Sequence, residues 1–288
     1  MALKHLAALF ALVVACAAAP VRAATPATPS ASPPCRLLLD NDDGIGAPGI
    51  HALYDALKDM CALVVVAPAN EQSGMSQAVP HFSKGLPVRA IAFADGMTGY
   101  AVEGSPAEAA CLGILAMSDG KPFDLLISGI NAGENTGLGN LYSGTVNAGI
   151  EALVRGTPSI AFSLSDEDGD DYSKAVPVVR ALVREALARR LPPGVMLNVN
   201  IPKDYDGIVV LPSRGLSAVL TGFTASRTPN GDTLYKPNIT YPNPSPPPGG
   251  DVQGYFTGHK VTVTPLAMDR TATEAIDIIK GWPLTIAP

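Results

Sequence analysis

Positive charge is scarce in this chain. Its 288 residues carry 20 Lys plus Arg against 26 Asp plus Glu, a formal net charge of −6, and no run of basic residues. The electrostatic footprint of a nucleic-acid binder is therefore missing, which excludes a polymer partner held through phosphate contacts. After the first residues no stretch approaches the roughly 18 uninterrupted apolar residues of a membrane-spanning helix. There is no G-x-S-x-G, and His51, His81 and His259 show no ligand spacing, so a serine-hydrolase triad finds no support. No lysine follows "YSGT" in Walker fashion, which removes a P-loop triphosphatase. What is present is an ordinary core former, 47% hydrophobic and 16% charged, long enough for one large domain or a domain with an appendage.

Residues 1–23, "MALKHLAALFALVVACAAAPVRA", place Lys4 and His5 before an apolar stretch and end on small residues, the pattern of a secretory signal cut near Ala23. The expected destination is the periplasm. A rival pattern, Val13-Val14-Ala15-Cys16, resembles a lipobox and would leave the protein lipid-anchored through Cys16. A Pro/Ala/Ser/Thr-rich linker follows over 24–34. Export permits disulfides, and Cys35 and Cys61 each immediately precede an expected strand, so a Cys35–Cys61 bridge is predicted, with Cys111 unpaired inside a helix.

From residue 35, short branched runs ("RLLLD", "LVVVA", "FDLLISGI", "SIAFSL", "VMLNVNI") alternate with amphipathic stretches. Runs of that kind suit strands buried on both faces of a parallel sheet. "APGIHALYDALKDM" reads as a helix with Pro48 in its first turn, and "SPAEAACLGILAM" opens on a capping box of Ser105 and Glu108. "VNAGIEALV" and "AVPVVRALVREALARR" read as two more helices. The alternation predicts an α/β fold, a Rossmann-like doubly wound, mostly parallel sheet over 35–215. A β-rich extension is expected over 216–288, with a hairpin turn at Asn230-Gly231, the strand "HKVTVTPL", and a final helix capped by Thr271 and Glu274.

The first strand ends on "DNDDGIG", where open α/β sheets bind ligands. One aspartate suffices to cap a helix; Asp42 and Asp43 together repel unless a cation offsets them, and hard oxygen at that density suits Mg²⁺ or Mn²⁺. A competing pattern overlaps: Gly44-Ile45-Gly46-Ala47-Pro48-Gly49 satisfies the dinucleotide-binding G-x-G-x-x-G, with Glu71 near the ribose-acid position, so an NAD(P)-binding protein is one alternative. Against it, a pyrophosphate there would meet both carboxylates. Further strand ends deliver Ser73 and Asn131, and the Gly/Asn-rich loop after Asn131 closes on Tyr142-Ser143-Gly144-Thr145 before a helix, a ready anion site. An acidic metal centre facing such a helix start describes phosphate ester chemistry. Capture of a nucleotide or sugar phosphate by a non-catalytic secreted protein remains a second alternative. "SDEDGDD" over 165–171 lacks the glycine and final glutamate of an EF-hand and reads as a solvated loop.

Taken together, "LLLDNDDGIGAPGI", "VVAPANEQSGMS", "EGSPAE", "LLISGINAGENTGLGNLYSGTVNAGIEA", "LNVNIP" and "VTVTPL" resemble, in order over about 35–285, the survival protein E (SurE) family of nucleotide phosphatases. The resemblance implies hydrolysis of nucleoside 5'- or 3'-monophosphates with one divalent ion per subunit, in a homodimer or homotetramer. Carried over, it puts metal ligands on Asp42, Asp43, Ser73 and Asn131, and substrate contacts on Asn41, Asn135, Ser143, Gly144 and Thr145. Asp42 or Asp43 would accept the proton of the attacking water. Two departures stand out: Asp40 occupies a position where the family usually has a small neutral residue, and "PANEQSG" lacks the basic residues common in that loop.

Overall fold

The computed structural model describes residues 35–282 except 167, 168 and 170; the expected leader, lipobox cysteine and linker lie outside the described residues. Its centre is a sheet of nine strands. β1 (Arg36–Asp40) pairs in parallel with β2 (Ala62–Pro68) on one side and β5 (Leu125–Ala132) on the other. β6 (Ser159–Leu164) and β7 (Val195–Ile201) extend the parallel series beyond β5. Leu37, Leu38 and Leu39 of β1 are wholly buried, as a strand covered on both faces requires. Burying each contributes about 1.5–3 kcal/mol.

The covering helices divide between the faces. α1 (Pro48–Leu57) places Ile50, Leu53 and Leu57 in the same apolar cluster as Val178, Val179 and Val183 of α4 (Ala175–Arg189). α2 (Pro106–Ala116) and α3 (Gly144–Val154) pack together on the other face over Leu38, Val66 and Leu126. The expected capping box is present: Glu108 N–H donates to Ser105 Oγ at 3.1 Å and Ser105 N–H to Glu108 Oε2 at 3.0 Å. The expected bridge is present too, with Cys35 and Cys61 Cα atoms 4.7 Å apart across the start of β1 and β2.

Three differences from the sequence reading have physical causes. "VRAIA" and "TGYAV" form β3 (Val88–Ala92) and β4 (Thr98–Val102), an antiparallel pair on the β2 edge that the residues do not announce, because β3 has no buried residue and so no core-like run. "HKVTVTPL", expected in the appendage, forms β11 (Val261–Ala267) and returns antiparallel to β7 in the main sheet. Its alternating pattern satisfies either place; pairing alone decides. β8 (Ile208–Val210) closes that edge. The hairpin of β9 (Val219–Arg227) and β10 (Thr233–Thr240), turning at Asn230-Gly231, stands apart from the main sheet. α5 (Asp251–Phe256) packs on β11. Finally, α6 (Thr273–Lys280) starts one residue later than a Thr271 cap would set it, with Ala272, which has no side-chain acceptor, at its N-cap.

Candidate active site

β1 ends at Asp40, β5 runs out through Asn131, and α3 begins at Gly144; the three meet at the carboxyl edge of the sheet. Asp42 is buried, and the Thr145 hydroxyl donates to its Oδ1. The same hydroxyl lies 3.1 Å from Asn131 Oδ1. Thr145 N–H also bonds the Asp42 carboxylate, so the start of α3 is held by the protein's own anion, as the helix dipole favours. Gly144 makes this possible. A Cβ there would stand 2.7 Å from Asp42 Cβ and 2.9 Å from Oδ2. Ser143 caps the helix, its Oγ accepting from Val146 N–H at 3.1 Å.

Asp43 is bonded by the backbone of Ala132, next to Asn131. Its carboxyl is pushed up to about 7, first by burial and then by the charges of Asp42 and Glu71. Burial likewise raises Asp42, partly countered by Thr145, and raises Asp40 well above the carboxylate range. Asp43 Oδ2 is buried without a hydrogen-bond partner. Asn131 donates its amide N–H to the Gly133 carbonyl at 2.7 Å, which turns its oxygen toward Thr145 and Asp42. Two carboxylates, one of them with an orphaned buried oxygen, and an amide oxygen fit a small divalent cation in both hardness and charge. No cluster of three His, Cys, Asp or Glu suited to metal occurs among the described residues, and this mixed donor set does not need one.

The remaining expected residues sit differently. Ser73 lies on an exposed turn adjoining Gln72, whose N–H donates to the Asp42 carbonyl at 2.7 Å; Ser73 N–H itself bonds Glu71 Oε1. Asn41 is wholly buried and its amide closes on the Gly44 carbonyl at 2.8 Å, fixing the turn where Gly44 takes φ +95°. Asn135 is clamped: its Nδ2 donates to Ser163 Oγ at 2.9 Å, its N–H to Asn200 Oδ1 at 2.6 Å, and its carbonyl accepts from Asn198 Nδ2 at 2.8 Å. Those clamp residues escaped the sequence reading. Their signal is visible in "LNVNIP", where an apolar strand places two asparagines on one face. A second such residue is Asp251, wholly buried, which accepts from Gly137 N–H at 2.8 Å and Arg214 N–H at 2.9 Å and so anchors the loop from beneath. His51 stacks on Phe93 at 4.2 Å and takes no part.

The class so defined is an open, mostly parallel α/β protein with buried carboxylates gathered against a helix start at its strand ends. The family follows from comparison. The model of the family described as Survival protein SurE matches residues 37–227. A "5'-nucleotidase SurE" of Stutzerimonas stutzeri is 36% identical over 250 residues, covering 86% of this chain and 98% of that one. One from Rhodopirellula baltica is 35% identical over 254 residues, covering 86% and 99%. A crystal structure of the Sure protein from Aquifex aeolicus superposes with a TM-score of 0.73 at 32% identity, over 85% of this chain and 98% of that one. This chain belongs to the survival protein SurE family.

Proposed function

We propose that this protein is a divalent-metal-dependent phosphatase that hydrolyses nucleoside 5'- or 3'-monophosphates to nucleoside and phosphate, as the name of its relatives suggests. One observation carries the reading: the helix start best suited to a phosphate already holds the Asp42 carboxylate. A phosphoryl group arriving there is a second anion on the same dipole, and with Asp43 alongside, the three negative groups coexist only around a cation. Asp42, Asp43, Asn131 and Ser73 would hold Mg²⁺ or Mn²⁺, which would neutralise phosphoryl charge and make water a better nucleophile at neutral pH.

The chain's own groups do the rest. Asp43, whose buried Oδ2 has no partner, takes the proton of the attacking water. Ser143 presents its hydroxyl, and Gly144 and Thr145 the start of the α3 dipole, to the non-reacting phosphoryl oxygens as charge shifts toward the leaving group. Asn135, fixed by Asn198, Asn200 and Ser163, holds a polar amide backbone against the same loop. Asn41 acts at one remove, by shaping the turn that aims Asp42 and Asp43.

Export completes the reading: the leader places a folded, disulfide-bonded chain, soluble or lipid-anchored, outside the reducing compartment, consistent with the Cys35–Cys61 bridge. Among the described residues no helix is long and apolar enough to cross a membrane. A homodimer or homotetramer is supported by the solvent-facing Leu220, Phe223, Tyr235 and Ile239 of the β9–β10 hairpin. The test is phosphate release from AMP across Mg²⁺, Mn²⁺ and excess EDTA. Metal-dependent turnover that EDTA abolishes is expected; binding of AMP without phosphate release would make the protein a nucleotide-capture module instead.

A further inference from the structure

The carboxyl edge does not end at Asn131. Beyond it, Ser165 follows β6 and Pro202 follows β7, and these two line a cavity of about 180 Å³ with Tyr241, Tyr255, Phe256 and His259. Its volume is below the roughly 300–1,000 Å³ of sites that enclose a drug-sized ligand, so it suits a single ring system. Three aromatic rings shape it. Phe256 meets Tyr241 edge to face at 5.7 Å and Tyr255 at 4.8 Å, and while Tyr255 is buried, Tyr241 remains 52% exposed. The arrangement leaves a braced aromatic ring partly bare beside a polar rim of Ser165 and His259.

Two links connect this cavity to the carboxylates. Tyr241 Oη donates to Glu134 Oε2 at 2.7 Å, and Glu134 immediately precedes Asn135 in the loop that runs from Asn131 to Ser143. Neighbouring strands stand about 4.8 Å apart, so the ends of β6 and β7 lie one and two strand spacings from the β5 end that carries Asn131, and two and three spacings, about 10 and 14 Å, from the β1 end that leads into Asp42 and Asp43. A nucleoside monophosphate laid along the sheet edge covers the nearer gap.

We infer that this cavity receives the nucleobase of a nucleoside monophosphate whose phosphate lies at Asp42, Asp43 and Thr145, with Tyr241 as its stacking face. The inference rests on the phosphatase reading above. Stacking on an aromatic ring tolerates every base, so the cavity favours nucleotides over simple phosphate esters without selecting one base.

The experiment compares AMP with ribose 5-phosphate, which carries the phosphate and sugar but no base, using the full metal-loaded enzyme. Tyr241→Ala should raise the KM for AMP about tenfold, the range of one lost base stack, and leave both constants for ribose 5-phosphate within about twofold. Tyr241→Phe keeps the ring and loses the Glu134 bond, and should hold the wild-type KM for AMP. Adenosine should inhibit wild-type turnover of ribose 5-phosphate competitively while free ribose does not, a readout that stands even if the Ala variant fails to fold. Equal losses on both substrates, no loss on either, a Phe variant as impaired as Ala, or no inhibition by adenosine would overturn the base cavity. Failure of the wild type to release phosphate from AMP would instead overturn the phosphatase reading.

Discussion

At the amino edge of the central sheet, the Cys35–Cys61 bridge ties β1 to β2, and Arg36 fastens β1 to the β5 side. Its backbone N–H reaches Asp124 at 2.8 Å, its guanidinium the Ser118 carbonyl at 3.0 Å and the Phe123 ring at 4.6 Å. At the carboxyl edge of the same strand, Asp40, Asn41 and Asp43 each leave a buried oxygen without a partner, and Ser128, Asn198 and Asn200 add further unpartnered atoms on the strands alongside. Each unsatisfied buried group costs about 1–3 kcal/mol. One end of the sheet is covalently and electrostatically closed; the other is held open, polar and costly. The contrast teaches that this fold separates stability from chemistry along a single strand of five residues. A substitution at one end should therefore move one property and spare the other.

The largest effect is expected at the carboxyl edge. Asp43→Asn removes an acceptor oxygen and a negative charge, and turnover of AMP should fall on the order of a hundredfold or more, as when one group that stabilises developing charge is lost. Asp42→Asn should cost a similar amount and also weaken the Thr145 contact. In EDTA, however, Asp43→Asn should unfold in urea no earlier than wild type, because a half-buried carboxylate repelled by Asp42 and Glu71 has been made neutral. A fully active Asp43→Asn enzyme, or one that loses stability in EDTA as well as turnover, would erase the division between the two ends.

The opposite substitution sharpens it. Replacing Cys35 and Cys61 together with alanine opens a loop spanning a sequence separation of 26, and chain entropy puts the loss at about 3.5 kcal/mol of unfolding free energy. Urea midpoints should drop accordingly. The kcat for AMP at 25 °C should stay within about twofold of wild type, since nothing at the amino edge touches the carboxylates. A large loss of turnover in the folded double variant would show that the two edges are coupled through β1.

Much of this separation is legible in the sequence because it is local. "RLLLDNDDGIG" shows a buried strand ending in charge within a few residues, and the cysteine before each of two strands shows where a bridge can close. Ser105, Pro106 and Glu108 announce their helix by chemistry confined to one turn. What stays hidden is set by partners far away in the chain. β11 returns to pair with β7 rather than joining the β9–β10 hairpin, and no residue within "VTVTPL" distinguishes the two outcomes. Asn135 is placed by Asn198 and Asn200, over sixty residues on, and the loop beneath Gly137 by Asp251, so their roles emerge only when β7 and α5 are in place. The helix start at Ser143 was readable as an anion site. That Asp42 already occupies it was not, because the contact spans 103 positions.

The smallest effect separates two duties of one hydroxyl at the carboxyl edge. Ser143 Oγ accepts from Val146 N–H, so it caps α3 in addition to any contact with substrate. Ser143→Ala should cost about 1 kcal/mol as a lost cap, whereas Ser143→Gly, also without the hydroxyl, should cost only a few tenths, because glycine tolerates the N-cap position far better than alanine. If the hydroxyl contacts the phosphoryl group, kcat/KM for AMP falls equally in both variants while their urea midpoints differ. If it serves the helix alone, the glycine variant keeps wild-type turnover and only the alanine variant, with its frayed α3, is impaired. Equal turnover losses with unequal stabilities would put Ser143 on the chemical side of the sheet; losses that track stability would make it part of the scaffold, and leave Thr145 as the one hydroxyl at that helix start committed to Asp42 and Asn131.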